Sequence, residues 1–79
     1  MIVEVAHTTL GYDREIKLPM YALCGIPEVW IVDVDARLVE VYRDPDGSRY
    51  RFHRDARSGD ELRPAMISSI VVPVARILG

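Results

Sequence analysis

Short apolar runs alternate with polar or turn-forming stretches along this chain, and the pattern lays out a sequence of elements. Residues 1–6 (MIVEVA) read as a strand, with Ile2, Glu4 and Ala6 on one face and Met1, Val3 and Val5 on the other. Both faces are largely apolar, which predicts a central strand. Residues 8–12 contain Gly11 and read as a loop. Asp13 is then the expected N-cap of a helix that reaches Cys24 and is closed by Gly25, with Ile16, Met20 and Leu23 as its buried stripe. Pro19 falls inside that helix, where it removes one backbone hydrogen bond and clashes with the carbonyl of Glu15. Either the helix kinks and keeps Asp13, Lys17 and Tyr21 on one face, or its regular part begins near Pro19 and Lys17 sits on the lead-in turn.

Residues 28–34 (EVWIVDV) are apolar on both faces except for Asp33 and predict a second central strand. Residues 37–43 follow a tight Asp35-Ala36 connection, and residues 48–54 follow the turn Asp44-Pro45-Asp46-Gly47, giving an antiparallel meander. Residues 56–61 read as a polar loop, 67–72 as a short apolar run, and 73–78 as a final helical turn with proline first. The order is β-α-β-β-β with a short C-terminal tail. A helix between the first two strands allows them to lie parallel while the later hairpins are antiparallel, so an α/β (α+β) domain with a mixed sheet is expected over residues 1–79. A central-type strand at the very start, with nothing before it to cover its other edge, makes the chain read as the second half of a larger unit.

Composition narrows the classes. The chain is 49% hydrophobic and 28% charged, as in a folded domain rather than a disordered one. A net charge of −2 provides no global field toward DNA or an acidic membrane, so any nucleic-acid contact has to be local. A chain this short buries only about 60% of its unfolded surface. With Cys24 as its one cysteine it can form no internal disulfide, so a homo-oligomer is the expected source of added stability. The free thiol, the lack of a basic leader and an apolar tail broken by Ser68, Ser69, Pro73 and Arg76 lead to the expectation of a cytoplasmic protein without a membrane partner.

Two residues stand out chemically. Glu4 lies among Ile2, Val3, Val5 and Ala6; on a central strand it needs a metal, a cation or a proton, and on an edge strand it faces water. Lys17 is the single lysine beside nine arginines. It is either a solvated helix lysine paired with Asp13 or Tyr21, or a compact charge placed to polarise a nucleophilic water. Arg49, Arg51 and His53 share one face of a basic strand, with Arg54 beside them, while Tyr50 and Phe52 take the other. That face is either solvated or a contact for phosphates. His7 and His53 lack partners at zinc-ligand spacing, and Cys24 reads as a buried structural thiol.

The string VEV at residues 3–5, then Asp13, Lys17 and Tyr21, then GIPEVWIVD at 25–33 and VEVYR at 39–43, resembles a large bacterial family of restriction-endonuclease-like proteins of unknown function, the Uma-type domains of the PD-(D/E)XK nuclease superfamily. The resemblance covers essentially all of this chain but only the C-terminal part of a typical member. It implies a restriction-endonuclease-like core, magnesium or manganese as cofactor, and DNA as substrate. In that superfamily a strand acid and an upstream aspartate hold the ions, and a lysine positions and polarises the attacking water. Glu4 matches the strand acid and metal ligand. Ala6 stands where the usual lysine would be, and the lysine that the family places on the following helix matches Lys17. Asp13 and Tyr21 match supporting positions. The family's upstream aspartate, in a Pro-Asp pair, would precede Met1, so a chain with this sequence alone is expected to be weakly active or inactive, and an in-frame Pro-Asp upstream would complete it. The alternative expectation is a non-catalytic remnant or assembly module that dimerises along its first strand.

Overall fold

The computed structural model describes every residue except Thr9. Its main sheet contains Ile2–Ala6 (β1), Glu28–Asp33 (β2), Leu38–Asp46 (β3) and Arg49–Arg57 (β4), in the order β1-β2-β3-β4. β1 runs parallel to β2 with Glu4 opposite Ile31, and β2, β3 and β4 form an antiparallel meander, so the expected mixed α+β architecture is the one that forms. A two-stranded ribbon of Glu61–Leu62 (β5) and Val72–Pro73 (β6) follows, before a terminal helix.

The crossover from β1 to β2 passes through Leu10–Tyr12 (α1), a π-helical turn at Asp13–Lys17, and Leu18–Leu23 (α2). Asp13 is therefore not an N-cap: the helical path starts earlier, at Leu10, and Asp13 lies inside the π turn with its side chain buried. Pro19 accounts for that turn. The Leu18 N–H bonds to the Asp13 carbonyl five residues back, and Pro19 then occupies the opening positions of α2, where its missing N–H costs least. Each alternative raised by Pro19 is half realised, since the path continues through the proline while α geometry restarts at Leu18. At the far end the Gly25 N–H bonds to the Ala22 carbonyl at 2.9 Å and the Ile26 N–H to the Tyr21 carbonyl at 3.0 Å, the paired bonds of a Schellman cap. Gly25 sits at φ 73°, a conformation a side chain would strain.

The predicted buried stripe is reversed. Ile16, Met20 and Leu23 are 52, 53 and 68% exposed, and Tyr12, in line with them, is 57% exposed. Leu10, Leu18 and Tyr21 face the sheet instead, against Ala6, Val29 and Ile31. The rotation follows from Arg14 and Lys17, whose charges meet Glu40 and Glu4 on the sheet, with Lys17 also beside Asp13 of its own turn.

On the opposite face, Trp30, Val32, Val39, Val41 and Ala56 are covered by Leu62 and by Val74 of the terminal helix Val74–Leu78 (α3). Glu28 ties this cover down. Its fully buried carboxylate accepts from Trp30 Nε1 at 2.9 Å, Arg43 Nε at 2.7 Å and the Ala65 N–H at 2.8 Å. Burial opposes its ionisation, but these donors prevail and hold its pKa below the ordinary value.

Other expectations are corrected. β1 is an edge strand, with Val3 and Val5 exposed on the face that the C-terminal segments cover only over its neighbours. β3 continues through Asp44-Pro45-Asp46, with Asp44 at φ 61°, and the turn moves to Gly47-Ser48. β4 runs on to Arg57, so Ala56 belongs to the core and not to a loop. Phe52 is exposed because β4 is the other edge of the sheet, and Cys24 is exposed rather than buried because the cap carries it past the end of the helix. No described helix is long and apolar enough to cross a membrane.

Candidate functional site

The site is built from one strand and the π turn above it. Alternation along β1 turns Glu4 toward the helical crossover, because Ile2 and Ala6 on the same face pack into that core. Spacings of four residues then place Asp13, Lys17 and Tyr21 in one row. Lys17 Nζ donates to Glu4 Oε2 at 3.2 Å and lies 3.4 Å from Asp13 Oδ1, and the Tyr21 hydroxyl donates to Glu4 Oε1 at 2.5 Å. Lys17 also lies 5.9 Å from the centroid of the Tyr12 ring, within cation–π range. The four residues singled out in the sequence are thus brought together.

Glu4 and Lys17 remain in contact with solvent, their side chains 21 and 33% exposed, whereas Asp13 is buried. The Tyr21 hydroxyl, helped by Lys17, holds the Glu4 pKa below its ordinary value against the opposing effect of burial. Glu4 in turn raises the pKa values of both Lys17 and Tyr21. Glu4 is therefore an anion at neutral pH, Lys17 a cation and Tyr21 a neutral donor. Lys17 cannot serve as a base in this state.

Sequence reasoning missed a second, deeper network. Glu40, opposite Ile31 and so in the same sheet row as Glu4, is fully buried. It accepts from Arg14 Nε at 3.0 Å, from Arg14 Nη2, and from the Tyr42 hydroxyl at 2.6 Å. Arg14 is held cationic by this carboxylate, and burial followed by Glu40 raises the pKa of Tyr42. Arg14 belongs to the π turn, so this pair clamps the turn to β3 beside Lys17. A signal existed in the sequence: the triplet Val-Glu-Val occurs in two strands, at residues 3–5 and 39–41.

The remaining candidates lie elsewhere. Arg49, Arg51 and Arg54 are on β4, three strand spacings from β1, about 14 Å across the sheet. Arg51 pairs with Asp46 and Arg54 approaches Asp60. His7 pairs with Asp35 and His53 with Asp55. No group of three or more potential metal ligands occurs among the described residues. Glu4 fits a magnesium ion as one carboxylate ligand among waters and substrate phosphates, and does not fit a cage made by the protein alone.

Tyr21→Phe is expected to move the Glu4 pKa up toward 4.5, since the largest influence lowering it is removed. A carboxyl with a depressed folded pKa adds stability that is complete above pH 4.5 and lost as pH falls through the folded value. The variant should therefore lose less stability on acidification. A ¹³C NMR titration of the Glu4 carboxyl measures the shift, and identical titrations of the two proteins would show that the hydroxyl does not act on Glu4 in solution.

No curated protein and no solved structure matches the chain. The Uma2 family model, described as "Putative restriction endonuclease", matches residues 1–75, the span that carries Glu4, Lys17, Tyr21 and the whole four-stranded sheet, and the chain belongs to that family.

Proposed function

We propose that this chain contributes the strand-acid and lysine part of a metal-dependent endonuclease site, acting on the phosphodiester bonds of DNA. The observation that carries this reading is the convergence of Lys17 and Tyr21 on the carboxylate of Glu4. Magnesium or manganese would be held by Glu4, and when bound would neutralise charge on the phosphate oxygens. Tyr21 fixes the orientation of Glu4 and keeps it ionised. Lys17, kept protonated, supplies a fixed positive charge that orients a water and stabilises negative charge developing on the scissile phosphate. Arg14 and Glu40 hold the turn that carries Lys17. Arg49, Arg51 and Arg54 would meet DNA phosphates at the far edge of the sheet. Glu4 is the solvent-reached carboxylate of the site and Asp13 is buried, so an ion held by Glu4 alone would support only slow hydrolysis. A DNA substrate fits a cytoplasmic setting.

The test is plasmid nicking by homogeneous protein with magnesium or manganese, alongside calorimetric titration of manganese. Slow, metal-dependent nicking is expected, falling by at least about a hundredfold in Glu4→Ala and in Lys17→Ala. Absence of both nicking and manganese binding would leave a second reading, a non-catalytic assembly module. The exposed edge of β1, with Val3 and Val5 uncovered, favours that second reading.

A further inference from the structure

The crossover helix carries its apolar residues on the wrong side for its own sheet. Tyr12, Ile16, Met20 and Leu23 follow one another at helical spacings of four, four and three, and each is more than half exposed. The inward side of the same turns is charged and is satisfied by Glu4 and Glu40. Rotating the helix to bury the stripe would break those pairs and strand Glu40, so no described residue of this chain covers the outer face.

We propose that this stripe is the surface through which two copies of the chain pair, helix against antiparallel helix, about a two-fold axis near position 18. The spacing of the four residues is self-complementary. In an antiparallel pair centred there, Ile16 meets the second copy's Met20 and Tyr12 meets its Leu23, and the reciprocal contacts follow by symmetry. Charge agrees with this register. Residues 18–26 carry no charged side chain, so Glu15, beside the stripe, faces the uncharged half of the other helix and no like charges are opposed. The patch is of the order of a few hundred Å² on each copy, within the range that marks interaction surfaces. That area is below the roughly 800 Å² per partner of a standard stable interface, so the pairing is reversible. The competing apolar surface, Val3 and Val5 at the β1 edge, lies on the opposite face of the sheet and provides an internal control.

Sedimentation velocity on the full chain, from low micromolar to near-millimolar concentration, tests the assignment. The wild-type protein is expected to pass from one chain to two as concentration rises. Ile16→Lys and Met20→Lys should each weaken association by roughly tenfold or more, while Val5→Lys leaves it unchanged. All three sites are exposed, and far-UV circular dichroism checks that each variant is folded; Met20→Gln replaces a stripe variant that is not, and Val3→Lys replaces the control. A wild-type chain that stays monomeric throughout overturns the proposal. So does a dimer lost in Val5→Lys but kept in Met20→Lys, which would assign the interface to the strand edge, or one lost equally in both.

Discussion

Glu28→Ala is expected to lose about 3–5 kcal/mol of stability, the usual cost of removing one partner from a buried ion pair. The carboxylate is fully buried and accepts from an indole, a guanidinium and a backbone amide, so its removal strands three donors at once. A 79-residue chain at 0.05–0.15 kcal/mol per residue holds only about 4–12 kcal/mol in total. The variant should therefore be largely unfolded or close to it at 37 °C, with the segment around Ala65 released first. Glu28→Gln keeps an acceptor but no charge and should cost about 1–3 kcal/mol. Urea denaturation of the three proteins measures both losses. A loss below about 1 kcal/mol in Glu28→Ala would show that water replaces the carboxylate, and that this contact does not pin the cover over β2.

The second large effect belongs to Arg14→Ala. Glu40 would keep the Tyr42 hydroxyl and lose both guanidinium contacts, leaving a buried carboxylate with one donor. Arg14 itself is nearly half exposed, so water can reach part of the vacated space, and the expected cost is about 2–4 kcal/mol rather than the full penalty. Adding Glu40→Gln removes the stranded charge. The double variant should be more stable than Arg14→Ala alone, with a coupling of about 1–3 kcal/mol in the double-mutant cycle. Additive losses would show that the two side chains act independently and that the π turn is held by something else.

Much of the fold was legible because its signals are local. The apolar strands either side of Asp35-Ala36 force a hairpin, and the helical crossover allows the parallel alignment of β1 with β2. Glu4, Lys17 and Tyr21 were legible as a group because spacings of four place the last two on one helix face. The rotation of that helix was not. Periodicity locates an apolar stripe but not the surface that receives it, and here the sheet offers carboxylates where apolar side chains were expected. Glu40 escaped for a related reason: an acid between two valines reads as the wet half of an alternating strand until an arginine from another element covers it. The position of β1 at the sheet edge also lay beyond composition, since its apolar residues suit either a central strand or an edge awaiting a neighbour.

The two margins of the sheet differ in what they would do at high concentration. Along β4, Arg49, Arg51, Arg54 and Arg57 crowd the margin with charged side chains, a common guard against pairing with an identical margin and so against fibre growth. β1 has no such guard, with Val3 and Val5 uncovered beside it. Strand-by-strand joining of identical copies can therefore use one margin only and ends at a closed pair, so a concentrated solution of this chain should stay free of amyloid-type filaments even where its apolar surfaces draw copies together.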